Sequence, residues 1–259
     1  MGNILDKIIV NKHREVEAKA AMGVYSRLET ATAQASTTRS MSRALKESAT
    51  GIIAEFKRYS PSKGAIHPQA DVTEIVPGYE AAGATACSIL TDTRFFGGSE
   101  TDLANARSTV SLPLLRKDFI IDSRQIMEAA VYGADAVLLI AAALSFDEIV
   151  TLTDCAHSYG LEVLLELHNE RELDRFYPEV DMVGVNNRDL TTFVTDPMLS
   201  LRLATQLPEE IVKIAESGLT SFAEVRKLRE AGYRGFLIGE RFMREADPAG
   251  ALKMFINGK

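Results

Sequence analysis

Tyr132-Gly-Ala-Asp-Ala-Val-Leu-Leu-Ile140 decides the fold. A helical stretch closes at a glycine, the residue that most readily takes the left-handed conformation ending a helix, and an unbroken apolar run follows within a few residues. The same plan recurs at Ala81-Ala-Gly-Ala-Thr-Ala-Cys-Ser-Ile-Leu90, Tyr159-Gly-Leu-Glu-Val-Leu-Leu-Glu166 and Ala231-Gly-Tyr-Arg-Gly-Phe-Leu-Ile-Gly239. Further apolar runs lie at 51–56, 112–115, 180–185 and 211–215, with helical patterns between them at 123–132, 146–158 and 221–230. Eight strands are predicted, with carboxyl ends near Glu55, Leu90, Lys117, Ile140, Glu166, Asn186, Glu216 and Gly239. Their mean spacing is about 26 residues, and a mean strand, a mean helix and two short loops need roughly 25. Continuous rather than alternating apolar strands imply a sheet covered on both faces, as in parallel α/β proteins. Eight such units within about 210 residues predict a (β/α)8 TIM barrel. A doubly wound open sheet is the rival, but no Gly-x-Gly-x-x-Gly follows the first strand.

The first 50 residues stand outside this repeat. Residues 4–22 read as a charged amphipathic helix, 29–39 as a polar connector and 41–48 as a short helix before strand 1. Such an extension either covers one mouth of the barrel or plugs its bottom, and packing near the active face is the expectation. Residues 1–259 are expected to form a single barrel domain, of which 1–50 is an N-terminal helical extension.

The 259 residues are 46% apolar and carry 29 Lys and Arg against 36 Asp and Glu, a net charge of −7. An acidic pI near 5.3 argues against nonspecific nucleic-acid binding, while leaving room for a local basic pocket. The sequence has no run of about 18 uncharged apolar residues, and residues 1–11 lack the basic-then-apolar pattern of a secretory signal. Cys87 and Cys155 fit neither a disulfide framework nor metal-ligand spacing and read as buried small hydrophobes in a reducing cytoplasm.

In barrels the chemistry sits at the carboxyl ends of the strands, and strand residues two apart point the same way. Glu55 and Lys57 share a face, as do Leu115 and Lys117, Leu164 and Glu166, and Asn186 and Arg188. Two lysines, two carboxylates, an amide and a guanidinium are thereby placed around one mouth. Desolvating several charges without a purpose is costly, so a catalytic cluster is expected. Glu216-Ser-Gly218 after strand 7 and Ile238-Gly-Glu-Arg241 after strand 8 lie where many barrels bind phosphate through backbone N–H groups. Phe95, Phe96 and Phe119 follow strands 2 and 3, where an exposed ring needs a ligand, a lid or the extension as its partner.

These residues resemble the indole-3-glycerol-phosphate synthases of tryptophan biosynthesis. The motifs are Ile53-Ala-Glu-Phe-Lys-Arg-Tyr-Ser-Pro-Ser-Lys-Gly64, Leu90-Thr-Asp-Thr-Arg-Phe-Phe-Gly-Gly-Ser99, Leu115-Arg-Lys-Asp-Phe-Ile120, Leu164-Leu-Glu166, Gly184-Val-Asn-Asn-Arg-Asp-Leu190, Ala215-Glu-Ser-Gly218 and Phe236-Leu-Ile-Gly-Glu240. The resemblance runs from the N-terminal helix to about Met243, nearly the whole chain. It implies a cofactor-free ring closure of 1-(2-carboxyphenylamino)-1-deoxyribulose 5-phosphate to indole-3-glycerol phosphate, carbon dioxide and water. Lys117 resembles the acid that protonates the ribulose carbonyl, with its pKa expected to fall in a positively charged mouth. Lys57 resembles the lysine that holds the substrate's anionic groups and shares in proton transfer, and the two lysines are not ranked as acids. Glu166 resembles the carboxylate of the later dehydration and rearomatisation, with Glu55 beside it, and their titrations are coupled.

By the same resemblance, Arg188 and Asn186 meet the anthranilate side of the substrate, the former through its bidentate fork. Ser217, Gly218, Gly239 and Glu240 resemble the phosphate site, with Ser60 and Glu216 lining the same mouth. Phe96, Phe119, Leu138 and Leu190 match the apolar wall that aligns the ring. The implied partner is the small phosphorylated anthranilate-derived substrate, with no nucleic acid, membrane, cofactor or metal, and the chain is expected to be monomeric or weakly associating.

The chain departs from the family at two points. Glu240 stands where some members have a small hydroxyl residue, and its side chain is expected to turn from the phosphate. The extension has no aromatic before Tyr25 to lend to the pocket. Competing readings are a phosphoribosylanthranilate isomerase, a Schiff-base aldolase using Lys57 or Lys117, and a barrel that has lost catalysis and serves as a scaffold. A metal hydrolase is disfavoured because His13, His67, His157 and His168 form no ligand cluster at the strand ends.

Overall fold

The computed structural model describes residues 3–32, 38–189 and 192–258. Eight parallel strands close into a barrel in chain order: β1 (Ile52–Phe56), β2 (Ala86–Leu90), β3 (Leu114–Lys117), β4 (Ala136–Ile140), β5 (Glu162–Leu167), β6 (Met182–Asn186), β7 (Val212–Glu216) and β8 (Tyr233–Ile238), which pairs back to β1. All eight ends fall within one residue of the positions read from the sequence. The helices Ser123–Val131, Phe146–Ser158 and Phe222–Glu230 occupy the predicted stretches, capped at their starts by Asp122, Ser145 and Ser221. Gly83, Gly133, Gly160 and Gly232, the glycines of the four repeated segments, all have positive φ.

Two cores explain why the strands are apolar throughout. Ile52, Ala54 and Phe56 belong to the outer core beneath the helices, whereas Ile53 of the same strand joins Leu115, Leu138, Leu164, Ile214 and Leu237 in the barrel interior. Alternate residues of one strand therefore serve opposite faces, and each fully buried Leu or Ile contributes about 1.5–3 kcal/mol. The interior changes character toward the carboxyl ends, where Glu55, Glu166 and Glu216 are all buried.

The N-terminal helices do both things the sequence left open. α1 (Ile4–Ala21) lies at the carboxyl-end mouth, with Leu5 and Ile8 buried in the same cluster as Phe119 and Leu138. α3 (Met41–Glu47) sits under the opposite end, where Met41 and Leu45 are fully buried. The Glu162 carboxylate at the start of β5 accepts from Ser40 Oγ, at 2.6 Å, and from the Ser42 backbone N–H, at 2.8 Å, fixing that plug. Between them, α2 (Val24–Thr32) corrects the expected connector: helix persists through Thr32. The reason is an apolar stripe, since Tyr25 is buried with Val16 and Met127 and Leu28 packs against them.

Cys87 is buried, but Cys155 is only half-buried, a second small correction. Among the described residues no helix is long and apolar enough to cross a membrane.

Candidate active site

The carboxyl-end mouth holds a cavity of about 480 Å³. Glu55, Lys57, Ser60, Phe96, Lys117, Phe119, Leu138, Glu166, Asn186, Arg188, Glu216, Ser217, Gly218, Gly239 and Glu240 all line it. Leu190 lies outside the described residues. Strand register accounts for the convergence, because Glu166 pairs with Ile140 and Gly184 while Glu216 pairs with Asn186 and Leu237, setting these ends at neighbouring levels.

Lys117 is the centre of the charge cluster. Its Nζ donates to Glu166 Oε2 at 2.5 Å and to Glu216 Oε2 at 3.0 Å. Burial alone would lower the pKa of this lysine, but Glu166, Glu216 and Glu55 outweigh burial and raise it. The sequence expectation of a lowered value is thus corrected: the neighbours that matter are carboxyl groups, not other cations. The two carboxyl partners differ in turn. Burial raises the Glu166 carboxyl, yet Lys117 and His168 overcome that and hold it well below the ordinary range. Glu216 is pushed up to about 8 by burial and by the neighbouring Glu166 charge, against the pull of Lys117.

Glu216 lines the mouth as expected and is in addition hydrogen-bonded to Lys117 beside Glu166. Close backbone approach makes room for both inward acids. A Cβ on Gly184 would lie 2.3 Å from Glu216 Oε1, and one on Gly239 would lie 2.4 Å from Glu55 Oε1. Just past the first strand, Lys57 Nζ donates to Glu55 Oε1 at 2.5 Å, as the two-residue spacing allows.

The binding side is built by loops. Asn186 Oδ1 accepts from the Arg188 backbone N–H at 3.1 Å, and the Arg188 guanidinium crosses to Ser62 Oγ at 3.3 Å. Arg188 Nε is buried with no hydrogen-bond partner among the described residues. Ser217 and Gly218 are both left-handed, with φ of 64° and 75°, and the Ser217 carbonyl accepts from Asn187 Nδ2 at 3.1 Å. Glu240 sits between two guanidiniums, 2.8 Å from Arg244 and 3.7 Å from Arg188, so its charge is matched sideways along the rim.

On the apolar side, the Phe96 and Phe119 rings lie 6.0 Å apart at 35°. Phe119 is buried rather than exposed, because Ile4, Leu5 and Ile8 of α1 close that side of the cavity. The extension therefore supplies aliphatic side chains where an aromatic was missing. Phe95 packs against the apolar interior but does not line the cavity.

Two contributors escaped the sequence reading. His168, dismissed there as a metal ligand, places Nε2 3.0 Å from Glu166 Oε1. Its position two residues past Glu166 was a signal that alternation carries. Lys12 of α1 is buried against Asp92 and Asp118, at 3.1 and 2.8 Å, and only the folded chain brings those partners together. Among the described residues no group of three or more His, Cys, Asp or Glu could hold a metal ion.

Acid–base side chains at the strand ends, an apolar wall and glycine-bearing loops after β7 and β8 define the class: a (β/α)8-barrel enzyme whose site suits a small, partly apolar anion. Known proteins narrow this. The family model for indole-3-glycerol phosphate synthase matches residues 5–255. An indole-3-glycerol phosphate synthase of Bacteroides thetaiotaomicron is 51% identical over 99% of this chain and 98% of its own, and one of Koribacter versatilis is 43% identical over 99% and 100%. The chain belongs to the indole-3-glycerol phosphate synthase family. Solved structures show the fold more widely. The N-acetylmannosamine-6-phosphate 2-epimerase of Clostridium perfringens superposes with a TM-score of 0.61 at 14% identity, covering 85% of this chain and 96% of that one. A thiamine phosphate pyrophosphorylase of Pyrococcus furiosus superposes at 0.58, also at 14% identity, over 80% and 93%.

Proposed function

We propose the following division of labour for the reaction of this family, a decarboxylating and dehydrating ring closure that yields indole-3-glycerol phosphate in tryptophan biosynthesis. The chain is a lyase, and its substrate carries three things to recognise: a phosphate, a carboxylate and an aromatic ring. The observation that carries the reading is Lys117 Nζ held between Glu166 and Glu216 on the wall of the cavity.

Lys117 is the general acid. As the ring carbon bearing the carboxylate attacks the ribulose carbonyl, the developing alkoxide takes a proton from this ammonium. A raised pKa keeps Lys117 charged until that alkoxide, a far stronger base than either carboxylate, appears. Glu216, protonated below about pH 8, is the neighbour from which the lysine regains its proton. Loss of carbon dioxide then leaves an intermediate that must expel its hydroxyl as water and lose a proton to become aromatic. Glu166, held as a carboxylate, takes that proton, and the Lys57–Glu55 pair assists departure of the hydroxyl from the β1 side.

Arg188, which lines the cavity beside Asn186, grips the substrate carboxylate together with it. The backbone at Ser217, Gly218, Gly239 and Glu240 receives the phosphate, with Ser60 on the same rim. Phe96, Phe119 and Leu138 hold the ring flat, since attack by a weakly nucleophilic carbon depends on alignment. The chain works as one domain, in the cytoplasm, as a monomer or weak associate.

The test is direct because the protein contains no tryptophan. Mixing it with the carboxyphenylamino-deoxyribulose phosphate, without added cofactor or metal, should give rising indole fluorescence with no tryptophan contribution from the protein. Lys117→Ala and Glu166→Gln should each lower kcat at least about 100-fold with the fold intact. Near-normal turnover in either variant refutes that residue's assignment, and a silent wild-type protein that still binds the substrate refutes the reaction.

A further inference from the structure

Glu166 offers two carboxylate oxygens, and each faces a cation, Oε2 in a hydrogen bond and Oε1 in an ion pair. Oε2 receives Lys117 Nζ, on the cavity wall. Oε1 faces the other way, toward the imidazole of His168, with Nε2 at 3.0 Å. The histidine is buried and does not line the cavity. Its other ring nitrogen, Nδ1, lies 3.6 Å from Glu172 Oε2. The same Glu172 oxygen accepts from the His168 backbone N–H at 2.7 Å, while Oε1 accepts from Asn169 Nδ2 at 2.6 Å. Glu172 is carried by the 3-10 turn Glu170–Arg175, whose start is capped by the Asn169 side chain. A line of three groups, Glu172, His168 and Glu166, thus runs from the back of β5 into the site.

We propose that His168, itself oriented by Glu172, is a positioning residue that fixes the rotamer of Glu166 and keeps its free electron pairs aimed at the substrate side. The inference rests on the reading of Glu166 as the base of the late steps and adds to it a supporting shell. A carboxylate on a strand end has a broad terminal torsion and needs a second contact to hold one orientation. Lys117 cannot supply that hold throughout the reaction, because its own proton is spent and regained. A partner outside the cavity, untouched by substrate, can. The charge state agrees with this arrangement: burial lowers the His168 pKa, but Glu166 and Glu172 outweigh burial and push it up to about 9, so the imidazole carries a positive charge between the two carboxylates.

Steady-state and single-turnover kinetics on His168→Ala, His168→Gln, Glu166→Gln and the double variant Glu166→Gln with His168→Ala test the proposal. His168→Ala should lower kcat about 10- to 100-fold, as misplacement of a catalytic group does, with KM nearly unchanged. His168→Gln, whose amide N–H reaches a similar point, should recover most of that loss. In the Glu166→Gln background, removing His168 should cost nothing more. Wild-type kcat in His168→Ala beside a collapsed Glu166→Gln overturns the inference while leaving the base assignment standing. So does an equal loss from His168→Ala in both backgrounds, which marks an effect independent of Glu166. Full activity in Glu166→Gln overturns the assignment itself. If His168→Ala proves unfolded by thermal melting, Glu172→Gln serves in its place: it should lower kcat with KM held, and only when Glu166 is intact. A Glu172→Gln enzyme with unchanged kcat then refutes the arrangement.

Discussion

Lys117 keeps its proton between two carboxyl groups that are chemically alike and electrically different. Glu166 is held as an anion by Lys117 and His168, while Glu216 is left with burial and a like charge and retains its proton to about pH 8. Stability must then depend on pH in a defined way. Glu216 has a folded-state pKa above its ordinary 4.5, and His168, at about 9, lies above its ordinary 6.5. Both contribute stability that is complete below the ordinary values and lost as pH rises through the raised ones. Glu166 acts in the opposite sense, its contribution being lost as pH falls through its depressed value. The melting temperature should therefore decline between about pH 4.5 and about pH 9, and Glu216→Gln, which copies the neutral acid, should flatten the part of that decline below about pH 8. Identical profiles for the two proteins would show that Glu216 is ionised throughout.

α1 is tied down by a buried cation. Lys12 reaches Asp92, which caps the short helix Thr93–Phe96, and Asp118, whose other oxygen accepts from Thr91 and Arg116. The loops carrying Phe96 and Phe119 are thereby fastened to the helix that covers them. Lys12→Met leaves both aspartates buried and short of a partner, a change that commonly costs about 3–5 kcal/mol. Urea denaturation should show that loss. KM should rise as well, since Leu5 and Ile8 cover the aromatic wall. Retained stability would mean that the aspartates find other partners, and an unchanged KM would separate the helix from substrate binding.

The barrel separates stability from chemistry along its axis. The buried Glu55, Glu166 and Glu216 lie at the carboxyl-end mouth, whereas the opposite end is closed by α3 with Met41 and Leu45 fully buried. Leu45→Ala should cost about 2–5 kcal/mol by leaving a cavity under the barrel. Its kcat and KM should stay at wild-type values, because the deletion lies across the interior from Lys117. A loss of turnover in a still-folded Leu45→Ala protein would show that the two ends are mechanically coupled.

Local pattern alone determined the strand–helix repeat, the positions of the strand ends and the presence of Glu55, Lys57, Lys117, Glu166, Asn186 and Arg188 at one mouth. Periodicity and helix-closing glycines are properties of neighbours along the chain, and the two-residue alternation of strands turns them into faces. Tertiary structure alone decided the electrostatics and the partners. Lys117 was expected to lose basicity among cations and instead gains it, because Glu166 and Glu216, 49 and 99 residues away, are its actual contacts. Glu216 read as lining the mouth, which it does, but its raised pKa came only from the closure that buried it beside another carboxylate. The dual placement of the extension, α1 above and α3 below, likewise depended on which surfaces barrel closure left uncovered. Charge interactions act through space and depend on burial, so a sequence lists the ionisable groups while only the folded chain sets their distances and dielectric surroundings.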